Sequence, residues 1–155
     1  LAEKIVKAGA KSYTGCDFAS SAILNAKERC KDKKNIFFYD KSIIDISEKN
    51  DYDFIFSLGL IDWLSQSEID HLAKLSNKKN WLHSFSEKRL SFIQIIHKIY
   101  VILFYGYKNG MYIPRYDKKS DIKKFLKNNN IYFFSHKKLS FGVLATSFKI
   151  DNDQK

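Results

Sequence analysis

The segment YTGCDFASSAILNAKER, residues 13–29, places an aspartate at the point where an apolar run changes to a helical pattern. Residues 12–16 have the character of a short strand. Small and apolar residues then recur at helical spacing, at Ala19, Ala22, Ile23, Ala26 and Cys30. Asp17 is therefore predicted to lie between the carboxyl end of a strand and the start of a helix.

Strands and helices alternate in the first half of the chain. Residues 1–8 are typical of the end of a helix that is closed by Gly9. The run NIFFY, residues 35–39, predicts a strand that ends at Asp40. The more apolar run YDFIFSL, residues 52–58, predicts a strand buried on both faces.

The second half continues this order and ends in two β-rich runs. Ser65 and Glu68 have the spacing of a capping box at the start of a helix. NWLHSF, residues 80–85, predicts a strand, and the apolar segment 92–107 predicts a buried or capping helix. A short helix is then predicted, capped by Ser120 and carrying Ile122, Phe125 and Leu126. The runs IYFFS and LSFGVLATSF, separated by HKK, predict two strands.

This order of elements predicts an α/β fold with a mostly parallel sheet and a C-terminal antiparallel β-hairpin. A chain of 155 residues is long enough to form one domain with its own core. We therefore predict a single domain over residues 1–155, with a cap segment at about residues 86–117.

The composition narrows the classes of function. The net charge of +10 is compatible with nucleic-acid binding, but 24 of the 27 cationic residues are lysines scattered along the chain, which favours a solvated surface. No segment has the length of uncharged apolar sequence that a membrane span needs. Cys16 and Cys30 lack metal-ligand spacing, so we predict reduced thiols, a cytoplasmic location and no metal site.

Two carboxylates at the ends of consecutive strands suggest a nucleotide-like ligand. In an open α/β sheet, ligands bind beyond the carboxyl ends of the strands. There Asp17 could accept hydrogen bonds from both hydroxyls of a ribose, and Asp40 could accept from an adenine amino group. The alternative for each is an ordinary turn or helix-capping carboxylate.

In order along the chain, several segments resemble class I S-adenosylmethionine-dependent methyltransferases. YTGCDFASSAILNAKER resembles the second-strand segment of that family, NIFFYDKS its third strand, and DYDFIFSLGLIDWL its fourth strand and following loop. The tail from Arg115 to Phe148 resembles its last helix and hairpin. The resemblance implies a Rossmann-like fold, S-adenosylmethionine as cofactor, and methyl transfer by in-line displacement.

Site residues follow from the resemblance position by position. Asp17 would bind the cofactor ribose, and Phe18 would pack beside the adenosine. Asp40 would meet the adenine amino group, with backbone contacts from Lys41. The methionine portion and the transferred methyl group would lie over Ser57, Leu58 and Gly59.

One part of the family pattern is missing from the sequence. The first strand of the family, with its glycine-rich turn, would precede Leu1, and in that fold it lies between the second and fourth strands. We therefore expect a truncated chain whose sheet lacks its first strand. We also expect these residues alone to form a loose, poorly cooperative fold whose thermal melting does not respond to added cofactor.

The acceptor substrate is expected to be a small molecule or a biosynthetic glycan or lipid intermediate. His83, at the end of a predicted strand, is the candidate base, although a structural histidine is an equal alternative. The apolar segment 92–107 could form a lid, bind a greasy substrate or dimerise. Candidate substrate-binding residues are Trp63, Arg89, Tyr112, Arg115 and Tyr116, for which core packing or structural ion pairs are the alternatives.

Two other classes of function remain open from the sequence. A nicotinamide-dependent oxidoreductase also uses an acid at the end of the second strand to hold a ribose. A non-catalytic nucleic-acid-binding module on a methyltransferase scaffold would use the lysines instead. Asp40 and the C-terminal run SFGVLATSF favour the methyltransferase.

Overall fold

A computed structural model of the chain describes residues 1–49, 52–77, 79–88, 92–106, 116–128, 135–138 and 142–148. Strands and helices alternate through these residues, in the order that the sequence predicts. The elements are α1 (Ala2–Lys7), β1 (Tyr13–Asp17), α2 (Ser20–Arg29), β2 (Ile36–Asp40), β3 (Phe54–Ser57), α3 (Gln66–Ser76), β4 (Asn80–Phe85), α4 (Phe92–Val101), α5 (Lys119–Asn128), β5 (Ser135–Lys138) and β6 (Val143–Thr146). Short 3-10 turns at Ile43–Asp45 and Ile61–Trp63 and a π-helical turn at Ile102–Gly106 complete the order.

The chain divides into two compact units, Leu1–Asn50 and Asp51–Lys155. The first unit contains a parallel pair of strands, β1 and β2, on which α1 and α2 pack. Gly15 in β1 lies under the rings of Tyr13 and Phe38, and a Cβ atom there would be 2.9 Å from the Phe38 ring. Any side chain at this position would therefore displace these rings.

The second unit contains a four-stranded mixed sheet in the order β3-β4-β6-β5. β3 pairs with β4 in parallel, and β6 pairs antiparallel with both β4 and β5. Buried and less buried residues alternate along β4, so Trp81, His83 and Phe85 share one face. Residues of α3 and α5 enclose a small void against this face, which places the core of the unit there.

The capping box of α3 is confirmed. The backbone N–H of Ser65 donates to Glu68 Oε2 at 2.8 Å, and the backbone N–H of Glu68 donates to Ser65 Oγ at 3.4 Å. The apolar stripe predicted for this helix is also buried, with Ile69, Leu72 and Ala73 in the core. A local sequence signal and a tertiary contact therefore agree in α3.

Three details differ from the sequence-based predictions. β3 is not buried on both faces, because it lies at the end of its sheet and Phe54 is exposed. α5 is not capped by Ser120: it begins one residue earlier, and the side chain of Asp121 accepts from the backbone N–H of Lys118 at 3.2 Å. The predicted turn HKK lies within β5.

The segment after β4 also differs from its prediction. α4 was expected to be a buried or capping helix, but most of its apolar side chains are exposed. None of the helices among the described residues is long and apolar enough to cross a membrane.

Candidate functional site

The two predicted carboxylates lie side by side at the ends of neighbouring parallel strands. Asp17 ends β1, Asp40 ends β2, and the two are direct register partners. Partners in a parallel pair project to the same face, and their strands are about 4.8 Å apart. The prediction that both aspartates lie at adjacent strand ends is confirmed, and both are exposed to solvent.

The carboxylate of Asp17 can accept further hydrogen bonds in addition to the one within its own turn. Its Oδ1 accepts from the backbone N–H of Ala19 at 2.9 Å, which fixes the entry into α2. Among the described residues, no side chain donates to Oδ2 of Asp17 or to the carboxylate of Asp40. Two carboxyl groups at adjacent strand ends offer several acceptor positions to the hydrogen-bond donors of a ligand.

Phe18 and Lys41 flank this carboxylate pair. Phe18 directly follows Asp17, and its side chain is 71% exposed, which is unusual for an aromatic residue of this size. The backbone N–H of Lys41 donates to the carbonyl of Asp17 at 3.0 Å, and its ammonium lies 5.7 Å from the centre of the Tyr39 ring. The first unit therefore combines an apolar surface, two acceptors and a cation near one strand end.

The loop after β3 carries the residues predicted to lie near the methionine portion. Leu58 is exposed, and Gly59 has a φ of +69°, a left-handed conformation that favours glycine. The backbone N–H of Gly59 donates to Ser84 Oγ at 2.8 Å, so β4 holds the turn in place. Ser57 itself is buried, and its hydroxyl is bonded to a histidine.

That histidine is His83, and its surroundings favour the alternative of a structural histidine over a base. Its Nδ1 lies 2.9 Å from Ser57 Oγ, and its Nε2 lies 2.9 Å from Ser76 Oγ. The ring also stacks on Trp81, with 5.2 Å between centroids. Burial lowers the pKa of His83 to about 3, so the ring stays neutral and structural at neutral pH.

One polar residue, the acid Asp62, was not predicted from the sequence. Asp62, in the turn after β3, is buried and accepts from both the backbone N–H and the hydroxyl of Ser86, each at 2.7 Å. Burial raises the pKa of Asp62, and the bonds from Ser86 act in the opposite direction. The signal for Asp62 in the sequence is weak, because a single acid in LGLIDWL reads as a turn residue.

Tyr116 lies close to Asp62 and pairs with a histidine of α4. Its hydroxyl is 3.0 Å from Nδ1 of the exposed His97, and the two rings meet edge to face. Burial raises the pKa of Tyr116, and the negative charge of Asp62 adds to this effect. We call Asp62, Ser86, His97 and Tyr116 the β4-end cluster.

Of the other predicted substrate-binding residues, the structure describes Trp63 alone. Trp63 is half-buried in the turn Ile61–Trp63. Arg89, Tyr112 and Arg115 lie outside the described residues. Among the residues that the structure describes, no group of three potential ligands could hold a metal ion.

Comparisons with known proteins identify the fold. No protein-family model matches the chain, and no curated protein matches it by sequence. The chain is similar to the magnesium protoporphyrin IX methyltransferase of Synechocystis PCC 6803, solved with bound SAH, at 21% identity and a TM-score of 0.66 over 94% of this chain and 67% of that one.

Two further solved structures have the same architecture. The CMeT domain of a citrinin polyketide synthase matches at 13% identity and a TM-score of 0.69, over 94% of this chain and 42% of that one. Human N-acetylserotonin methyltransferase, solved with SAM, matches at 11% identity and a TM-score of 0.62, over 92% of this chain and 41% of that one. The chain therefore has the Rossmann-like fold of class I methyltransferases, and it spans less than half the length of these last two proteins.

Proposed function

We propose that the chain binds S-adenosylmethionine and takes part in methyl transfer to a small-molecule or biosynthetic glycan or lipid acceptor. The observation that carries the proposal is the pairing of Asp17 with Asp40 at adjacent strand ends, within a methyltransferase fold. A ribose diol needs paired acceptors, and the carboxylate of Asp17 provides them. Asp40 provides an acceptor for the adenine amino group.

Apolar and backbone groups complete the proposed adenosine site. The exposed ring of Phe18 is available to pack against a nucleoside, and such a contact would account for its exposure. Lys41 contributes its backbone next to Asp40. In the second unit, the resemblance assigns the loop of Ser57, Leu58 and Gly59 to the methionine portion; the hydroxyl of Ser57 bonds His83, so we assign any contact from Ser57 to its backbone.

Methyl transfer from a sulfonium requires alignment of the acceptor more than covalent help from the protein. The bound cofactor supplies the electrophilic methyl group. We assign positioning of the acceptor to the β4-end cluster, because it brings a histidine, a tyrosine and a buried carboxylate together just beyond β4. His97 replaces His83 as the proposed proton acceptor, since His97 is exposed and His83 is enclosed.

Calorimetric titration of the full-length protein with S-adenosylmethionine tests the proposal. Asp17→Asn keeps an acceptor for the Ala19 N–H but removes the charge, so we expect affinity about tenfold to a hundredfold weaker, or about 1.5–3 kcal/mol. Asp32→Asn, an exposed aspartate of the same unit, is the matched control and should bind like the wild type. Equal affinity in Asp17→Asn and the wild type would remove Asp17 from the site, and binding of NADH instead would favour the oxidoreductase.

A further inference from the structure

Helix α4 and the π-helical turn after it present a continuous apolar surface to solvent. Seven exposed side chains form it: Phe92, Ile95, Ile96, Ile99, Tyr100, Leu103 and Phe104. We call these residues the α4 apolar face. The side chain of Phe92 is 77% exposed, and the rings of Tyr100 and Phe104 pack in a tilted arrangement with 4.7 Å between centroids.

The opposite side of α4 attaches the helix to its own unit. Val101 is buried, and Gln94 Nε2 donates to the carbonyl of Glu87 at 2.7 Å. At about 100° per residue, the exposed apolar positions within α4 span about 140° of the helix circumference. The helix is therefore fixed through one narrow side and presents a wide apolar arc to solvent.

We propose that the α4 apolar face binds the surface of an anionic lipid bilayer, with the helix axis parallel to the membrane plane. A helix of ten residues is about 15 Å long, which is half the thickness of the hydrocarbon core. It can therefore lie in the interface but cannot span it. Aromatic side chains such as Phe92, Tyr100 and Phe104 are favoured at that depth.

Charge favours a bilayer over a second copy of the chain as the occupant. No acidic residue occurs between residues 92 and 106, while the cationic Lys98 lies within this segment. The chain carries a net charge of +10, which attracts anionic headgroups and repels another copy. A helix pair also needs only a narrow apolar seam, whereas this arc is wide enough for a planar apolar medium.

Vesicle sedimentation of the full-length protein tests this proposal without using methyl transfer. With phosphatidylcholine vesicles that contain about one third phosphatidylglycerol, we expect binding that weakens as salt is raised. Pure phosphatidylcholine should bind about tenfold less protein, because the electrostatic attraction is lost. Failure here would leave the proposed cofactor site unaffected, since titration with S-adenosylmethionine measures that site separately.

Two matched triple variants decide the role of the face. Replacing exposed apolar residues by glutamine should not unfold the chain, and circular dichroism checks this. The test variant is Ile95→Gln, Ile99→Gln and Leu103→Gln, and the control is Leu24→Gln, Phe37→Gln and Ile44→Gln, which are exposed residues of the first unit. We expect the test variant to lose at least about tenfold in vesicle affinity and the control to keep it.

Three outcomes would overturn the proposal. The wild type could fail to sediment with the anionic vesicles, or the test variant could bind them as well as the wild type does. Light scattering could also detect a dimer that the test variant converts to a monomer, which would assign the face to a second copy.

Discussion

At the scale of single residues, hydrogen bonds around His83 fix its tautomer. Ser76 Oγ donates its one proton to the carbonyl of Leu72 at 2.8 Å, so it must accept from His83 Nε2. Nε2 therefore carries the ring proton, and Nδ1 accepts from Ser57 Oγ. These hydrogen bonds link β3, β4 and α3 through a neutral ring. Because the polar atoms of the ring are all bonded, a histidine is tolerated in the core.

The neutral ring makes the stability of the protein depend on pH. The pKa of a histidine is near 6.5 in an unfolded chain, and burial lowers that of His83 to about 3. Between these values the unfolded state binds more protons. Stability should therefore fall as the pH is lowered from about 6.5 towards 3, by up to about 1.4 kcal/mol per pH unit from this group.

Denaturant unfolding at several pH values measures this dependence. In His83→Gln the titrating group is gone, so the loss of stability between pH 6.5 and 4 should be shallower than in the wild type, by up to about 1.4 kcal/mol per pH unit. The control variant is His71→Gln, at a half-exposed position on α3, which removes a histidine but keeps His83. A His83→Gln variant as pH-sensitive as the wild type would show that His83 is not buried as a neutral group.

Asp17 and His83 show why single residues differ in predictability. The position of Asp17 follows from its neighbours in the sequence, because a strand pattern ends there and a helix pattern begins. The environment of His83 depends on Ser57 and Ser76, which lie 26 and 7 residues away in the chain. The pattern along NWLHSF places His83 towards the end of a strand. Only the packing of α3 and α5 shows that its side chain is enclosed.

At the scale of elements, the starts of α3 and α5 give a matched comparison. Ser65 accepts from the backbone N–H of Glu68, so its hydroxyl satisfies a donor of the first turn. Ser120 lies inside α5, and Asp121 takes the capping role for the N–H of Lys118. Both serines looked like helix caps in the sequence, but only one of them has that role.

Ser65→Ala should therefore cost more stability than Ser120→Ala. Loss of an N-cap hydroxyl costs about 1 kcal/mol, whereas a helix position that does not cap changes stability by about 0.5 kcal/mol or less. The midpoint of urea unfolding measures both variants under one condition. Equal losses in the two variants would show that the Ser65 hydroxyl adds little to the start of α3.

The exposure of α4 and β3 has a similar cause. The apolar runs predicted a strand buried on both faces for β3 and a buried or capping helix for α4. The burial itself was wrongly predicted, because burial needs a neighbouring element as well as an apolar pattern. Phe54 lies on a strand at the end of its sheet, and α4 contacts its unit through a narrow side. Hydropathy along the chain carries no information on which element lies at an edge.

At the scale of the whole molecule, the order of elements was enough to identify the fold. The resemblance to class I methyltransferases rested on several weak segments in the right order, and the three solved methyltransferase structures, at 11–21% identity, confirm that fold. The chain divides into two compact units. The single domain predicted from chain length stays a prediction.

The two units should differ in stability. In the first unit the buried hydrophobic residues, among those described, are Ala2, Ile23 and Ile36, and its sheet has two strands. Two-stranded sheets are marginal without extensive packing. The second unit buries the faces of β4, α3 and α5 in one core. Burial of apolar area is the main source of stability, so the first unit should open at a lower free energy.

Hydrogen–deuterium exchange of the full-length protein measures this difference directly. Without ligand, amides of β1 and β2 should exchange before those of β4 and β6, and at lower denaturant concentrations. S-adenosylmethionine should then slow exchange most around Asp17 and Asp40, because a ligand that binds only the folded form stabilises the residues that hold it. Strands β1 and β4 exchanging at one rate, with one dependence on denaturant, would show that the protein unfolds as a single cooperative unit. Slower exchange around β4 alone would place the ligand away from the carboxylate pair.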